Sequence, residues 1–227
     1  MYDTRIRRII DPPLNWIARR LRPLPVTANQ ITVAALVFGL ASAVAVAFGA
    51  FGPALVALAA SRIADGLDGA VARQHGVTRL GGYLDIVFDF FFYGAIPLAF
   101  AIADPSRNAL AAAVLLASFY ANGATFLGFA AVAAEMRLTT DIQGRKSIYY
   151  FAGLAEGAET IAVFCLMMVF PAAFVWLAFL FAAVCFVSAG ARVLAVNDML
   201  RHLPPMPPVA GAPPAGPVSG PTSSSAD

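Results

Sequence analysis

Asp65-Gly66-Leu67-Asp68-Gly69-Ala70-Val71-Ala72-Arg73 and, seven residues further on, Gly81-Gly82-Tyr83-Leu84-Asp85-Ile86-Val87-Phe88-Asp89 set four carboxylates into two otherwise apolar runs. Asp65 and Asp68 are spaced i, i+3 and Asp85 and Asp89 i, i+4, so on helices each pair occupies one face. The short connection predicts antiparallel neighbours, and a rise of ~1.5 Å per residue puts all four acids in the same half of a bilayer, as a four-carboxylate cup. A carboxylate at mid-depth costs at least ~2.5 kcal/mol, so acids there have a partner or a function. Two divalent cations balance four such charges, and oxygen-only ligands suit Mg²⁺ or Mn²⁺ rather than a metal that prefers thiolate or imidazole. A pair of ions roughly 3.5–4 Å apart clamps a diphosphate and stabilises both oxygens of an in-line phosphoryl transfer. Gly66, Gly69, Ala70, Ala72, Gly81 and Gly82 leave space for a ligand, or for a neighbouring helix, to approach.

Outward from this stretch the chain reads as a membrane protein. Of its 227 residues 60% are hydrophobic and 12% charged, against roughly 45–50% and about 25% in soluble domains. Six apolar segments, at about 32–50, 53–73, 81–103, 108–135, 147–170 and 171–197, are long enough to span a bilayer. They predict an all-α, polytopic fold of six transmembrane helices, separated by turn signals at Phe51-Gly52-Pro53 and Asp104-Pro105-Ser106 and by Pro171 at a helix start. The expected organisation is a cytoplasmic interfacial helix over 1–24, a membrane domain over 25–200 and a disordered tail of Pro, Gly, Ala and Ser over 201–227.

Arginines crowd the segment before the first span, and Arg73, Arg79, Arg137, Arg145, Lys146, Arg192 and Arg201 fall at alternate ends of later ones, with Arg107 opposite. The positive-inside rule then places both termini and the motif-bearing helix ends in the cytoplasm. The N-terminal segment lacks a signal-peptide pattern. Its Ile6, Ile9, Ile10, Leu14, Trp16, Ile17 and Leu21 predict an amphipathic helix lying on the membrane, with Asp11-Pro12-Pro13 as its N-cap and start. Cys165 and Cys185 sit in apolar runs and read as small hydrophobes. A net charge of +2 gives no reason to expect a nucleic-acid partner.

The motif resembles the signature of the CDP-alcohol phosphotransferase family, D-x-x-D-G-x-x-A-R, a short gap, then G-x-x-x-D-x-x-x-D. All eight defining positions are filled; the gap is seven residues where the family pattern has eight, a slightly shortened loop. The resemblance extends over roughly residues 1–200 and is similar in layout to small bacterial inner-membrane members whose acceptor alcohol is unassigned, including Lys146-Ser147-Ile148-Tyr149-Tyr150 and Glu156-Gly157-Ala158-Glu159-Thr160. It implies that an alcohol attacks a CDP-linked substrate and releases CMP, with a CDP-diacylglycerol-type lipid as donor in phospholipid biosynthesis. The reverse assignment, a lipid alcohol attacking a small CDP-alcohol, is the alternative. By the same resemblance Asp65, Asp68, Asp85 and Asp89 hold the two cations and Asp89 is the catalytic group that accepts the alcohol's proton. Gly69, Ala72, Arg73 and Gly81 line the CDP site with Asn29 and Thr32 of the segment Thr27-Ala28-Asn29-Gln30-Ile31-Thr32, which also reads as a polar helix entry capped by Thr27. Arg145 and Lys146 stand where phosphate-bearing acceptors are gripped, or serve topology alone. A homodimer is implied as well.

Glu156 and Glu159 lie near the middle of the fifth span, and Arg62 at similar depth on the second is expected to pair with one of them. Asn122, Thr125 and Phe90-Phe91-Phe92 read as helix packing and lipid contact. Buried acids also line ion- or proton-coupled transporters, but the repeated halves or broken helices of that class are not evident. A metal-retaining scaffold would bind cations without any dependence on nucleotide.

Overall fold

Glycine and threonine punctuate the helices of the described residues, among which there is no strand. The computed structural model describes residues 2–23, 25–135 and 157–201. In order they form α1 (Tyr2–Leu21), α2 (Ala28–Ala47), α3 (Phe51–His75), α4 (Arg79–Ala103), α5 (Pro105–Glu135), α6 (Gly157–Val169) and, after a single 3₁₀ turn at Pro171–Ala173, α7 (Phe174–Arg201). Thr27 and Gln30 form a reciprocal capping box, so α2 begins four residues before the apolar run itself. Thr78 caps α4 through the Gly81 amide, and Gly76, at φ +107°, ends α3 in a conformation open to glycine alone. The Asp104 carboxylate accepts from the Ser106 hydroxyl and the Arg107 amide at the start of α5. Those two bonds, the hydroxyl's first, hold it below the usual carboxylate range.

Four helical segments among the described residues, α2, α4, α5 and Pro171–Arg201, are long and apolar enough to cross a membrane. The expected six reduce to four on this criterion for two reasons. At 25 residues α3 has the length, but Arg62, Asp65 and Asp68 interrupt its apolar surface. The described part of the fifth span, α6, has only 13 residues, and 147–156 lie outside the described residues, as do Arg145, Lys146, Glu156 and the tail beyond Arg201.

α1 also departs from expectation. It does not begin at Asp11-Pro12-Pro13 but continues through both prolines. Pro12 and Pro13 are exposed, and Leu14 and Ala18 anchor the following turns. Leu14 settles against α3, where a Cβ on Gly66 would lie 2.6 Å from its Cδ1.

α2 is the hub, packed on both α3 and α4; α4 leads on to α5, and α5 pairs with α7. The small face of α2 makes this close approach possible: Ala35, Gly39, Ser42 and Ala43 are buried there. Ser42 donates to the Ala54 carbonyl at 2.8 Å, and Ser61 to the Ala35 carbonyl at 2.7 Å, which ties α2 to α3. The main core gathers Phe92, Ile96, Phe100, Leu115, Phe164 and Phe174, with Phe100 and Phe174 stacked at 4.3 Å. A Cβ at Gly39 would sit 2.7 Å from the Phe92 ring and 3.2 Å from the Ser61 hydroxyl. Gly39→Val is therefore expected to destabilise the detergent-purified protein by about 1–3 kcal/mol, read as a lowered thermal unfolding midpoint.

Candidate active site

α3 and α4 are joined by a tight turn, yet they make little direct contact, and α2 closes the back of the gap between them. The two helices are still neighbours whose side chains meet across that gap, as the short connection predicts. Like-charged side chains facing one another do not draw two helices together.

Into the gap Asp65, Asp68 and Asp85 each project one carboxylate oxygen, all within 4.8 Å of one another. Asp68 is the most enclosed, 8% exposed, and its Oδ2 is buried without a hydrogen-bond partner among the described residues. A buried acceptor left open among converging carboxylates is what a cation ligand requires. The residues present thus fit a hard divalent ion, held by Asp65, Asp68 and Asp85 through oxygen alone.

Asp89 stands apart from this triad. Its Oδ1 accepts from Arg62 Nη1 at 3.2 Å and its Oδ2 from the Tyr93 hydroxyl at 3.3 Å. The four-carboxylate cup is thus three plus one, joined through Arg62, which also lies 3.5 Å from Asp65. Of the two acids expected to pair with Arg62, Glu156 lies outside the described residues and Glu159 is not its partner: Arg62 turns to the acids on α3 and α4, and Glu159 Oε2 is buried with no hydrogen-bond partner among the described residues. Arg62 precedes Asp65 by three residues and Tyr93 follows Asp89 by four, the spacings at which helical side chains meet. Both links were present in the sequence.

Two of the other candidate residues, Asn29 and Thr32, come from α2 to meet α4 and α3. A Cβ at Gly81 would lie 3.1 Å from Asn29 Oδ1, so the α2 entry and the start of α4 touch there. Thr32 is buried and close enough to act on Asp68, while its hydroxyl bonds the Ala28 carbonyl at 3.0 Å. A Cβ at Gly69 would lie 3.5 Å from an Arg73 Nη. Ala72 is half-buried one residue before Arg73. Thr27 does cap α2, as the alternative reading had it, without moving Asn29 or Thr32 from the gap.

Arg192, read as a topology charge, is buried instead. Its Nη1 donates to the Asn122 carbonyl and Oδ1, both at 3.0 Å, and to Thr125 Oγ1 at 2.8 Å. Asn122 and Thr125 therefore hold a cation between α5 and α7 rather than merely packing helices. Phe90 and Phe91 are exposed as expected of lipid contacts, whereas Phe92 is core and lies 4.8 Å beneath the Arg62 guanidinium.

Comparison with known proteins agrees with this arrangement. Residues 25–195 match the family model for CDP-alcohol phosphatidyltransferase. The inner membrane protein YnjF of Escherichia coli is 40% identical over 203 residues, 89% of this chain and 98% of that protein. The crystal structure of Mycobacterium tuberculosis phosphatidylinositol phosphate synthase (PgsA1), solved with CDP-DAG bound, shares the fold at a TM-score of 0.60 and 21% identity, over 81% of this chain and 92% of that one. Asp65, Asp68 and Asp85, which could hold a divalent ion, stand within the matched region: this chain belongs to the CDP-alcohol phosphatidyltransferase family.

Proposed function

We propose that the protein transfers a phosphatidyl group from a CDP-diacylglycerol-type lipid to an alcohol, releasing CMP, in phospholipid synthesis. The acceptor oxygen forms a new bond to the lipid-side phosphorus, the bond from that phosphorus to the bridging diphosphate oxygen breaks, and the electron pair leaves with CMP. The acceptor's proton passes to Asp89. Asp65, Asp68 and Asp85 would hold the first divalent cation and Asp89 would help to hold a second. Mg²⁺ or Mn²⁺ in this position supplies positive charge to the diphosphate as negative charge builds on the leaving oxygen. Asn29, Thr32, Gly69, Ala72, Arg73 and Gly81 surround the nucleotide, and Arg145 and Lys146 grip a phosphate-bearing acceptor.

The observation that carries this reading is the convergence of the Asp65, Asp68 and Asp85 oxygens in a gap that also presents Asp89. CDP-DAG in the PgsA1 structure supports a lipid donor for a chain of the same fold. The apolar helices and the inner-membrane relative support residence in a bacterial inner membrane; to this the proposal adds six spans, both termini cytoplasmic, α1 lying on the cytoplasmic surface and a homodimeric assembly. Trp16 and Arg20, stacked at 4.9 Å on the exposed side of α1, suit a headgroup layer.

Purified protein in mixed micelles with CDP-diacylglycerol, Mn²⁺ or Mg²⁺ and a panel of polar alcohols is expected to release CMP only when the right acceptor is present. CMP release from a small CDP-alcohol with a lipid acceptor, and none from CDP-diacylglycerol, would reverse the donor. Absence of both reactions, together with no metal-dependent binding of either donor, would overturn the transferase reading.

A further inference from the structure

Arg62 is a fifth charged group in the cluster. Nη1 reaches both Asp89 Oδ1 at 3.2 Å and Asp65 Oδ2 at 3.5 Å. Nη2 donates to Ser61 Oγ at 3.1 Å, and that hydroxyl is itself anchored on the Ala35 carbonyl of α2. The Phe92 ring supports the guanidinium from below. These contacts fix the position of the charge: Ser61 and Asp65 on α3 and Asp89 and Phe92 on α4 set its height and direction, and its side chain is only 20% exposed. It bridges the triad to the fourth acid, which is where a second cation shared by Asp65 and Asp89 would sit.

Charge balance gives that position a consequence. Four carboxylates carry four negative charges; one divalent ion in the triad plus Arg62 supplies three positive, whereas two divalent ions plus Arg62 supply five. Without substrate the second ion would have to break the Arg62 ion pairs with Asp65 and Asp89 and would turn the cluster's net charge from −1 to +1 beside that guanidinium. A bound nucleotide diphosphate adds the negative charge that makes the second ion favourable. Resting on the transferase reading above, we propose that Arg62 is a positioning residue that occupies the second cation's place in the substrate-free protein, so that this chain binds one divalent ion tightly on its own and the second only together with a diphosphate.

Mn²⁺ titration of the full chain in detergent, followed by the electron paramagnetic resonance signal of free Mn²⁺, tests this without turnover. One tight site per chain is expected in the absence of nucleotide, with any second site at least about tenfold weaker, and two tight sites after saturation with CDP. Arg62→Met should tighten the second site at least about tenfold without nucleotide, while Arg62→Lys should keep the one-site behaviour. Two equivalent tight sites in the nucleotide-free wild type, or no gain of a second site with CDP, would overturn the proposal even if Arg62→Met failed to fold. An Arg62→Met isotherm identical to wild type would overturn it as well, leaving the transferase reading intact. No Mn²⁺ binding to the wild type under any condition would remove both.

Discussion

Asp68→Asn is expected to lower CMP release by about three orders of magnitude or more while leaving the protein folded. The substitution keeps the shape of the side chain and removes the charge from the most enclosed member of the triad, the one whose Oδ2 has no partner among the described residues. A ligand oxygen lost from a three-carboxylate site weakens the hold on the cation that opposes charge on the diphosphate. About 4 kcal/mol of lost transition-state stabilisation corresponds to about a thousandfold in rate. The stability readout should move the other way. Without metal, Asp65, Asp68 and Asp85 repel one another in a partly desolvated gap, so in chelator Asp68→Asn should melt at or above the wild-type midpoint. Chelation of the wild type should reproduce the loss of activity, and excess Mn²⁺ should restore it there but not in the variant. Activity within tenfold of wild type in Asp68→Asn would mean that the triad does not hold the catalytic ion.

Much of this architecture could be read from residue order because the bilayer leaves few choices. Apolar runs of the right length become helices, and the acids at 65, 68, 85 and 89 stand at spacings that put each pair on one face. What stayed hidden depends on the rotation and separation of helices, which periodicity does not supply. Arg62 has a similar depth to Glu159, and depth suggested the pairing; rotation about α3 turns it to Asp89 instead. Arg192 sits near the end of an apolar run, where arginines ordinarily mark topology, but the Asn122 and Thr125 oxygens one helix away give it polar partners inside the bundle. The gap between α3 and α4 is likewise a tertiary result: α2 packs on both and prevents them from closing on each other. Pro12 and Pro13 looked like a helix start because proline favours a first turn, yet the helix passes through them on the exposed side of α1.

Asp89→Asn separates the proton acceptor from the cation site. Both Asp89 oxygens are held, Oδ1 by Arg62 and Oδ2 by the Tyr93 hydroxyl, so the carboxylate is fixed at one edge of the triad rather than within it. An asparagine there keeps the volume and can still accept from one of these donors, but it cannot take a proton from an attacking alcohol. General-base catalysis by a positioned group contributes about 10²–10⁴-fold, and a loss of kcat in that range is expected for Asp89→Asn. The first Mn²⁺ should still bind, because its three ligands are untouched, whereas the nucleotide-dependent second ion, which Asp89 helps to hold, should weaken and raise KM for the CDP-linked donor. Tyr93→Phe removes only one hydrogen bond to the carboxylate and should cost less than about tenfold in kcat. Asp68→Asn, in contrast, should lose kcat and first-ion binding together. Comparison of steady-state kinetics with nucleotide-free Mn²⁺ isotherms for the three variants decides the assignment. If Asp89→Asn abolishes the first ion's binding as Asp68→Asn does, Asp89 belongs to that ion's ligand set and the alcohol's proton must leave by another group. If it spares binding and removes turnover, the three-plus-one division of the acids seen in the fold is also the division of labour in the reaction.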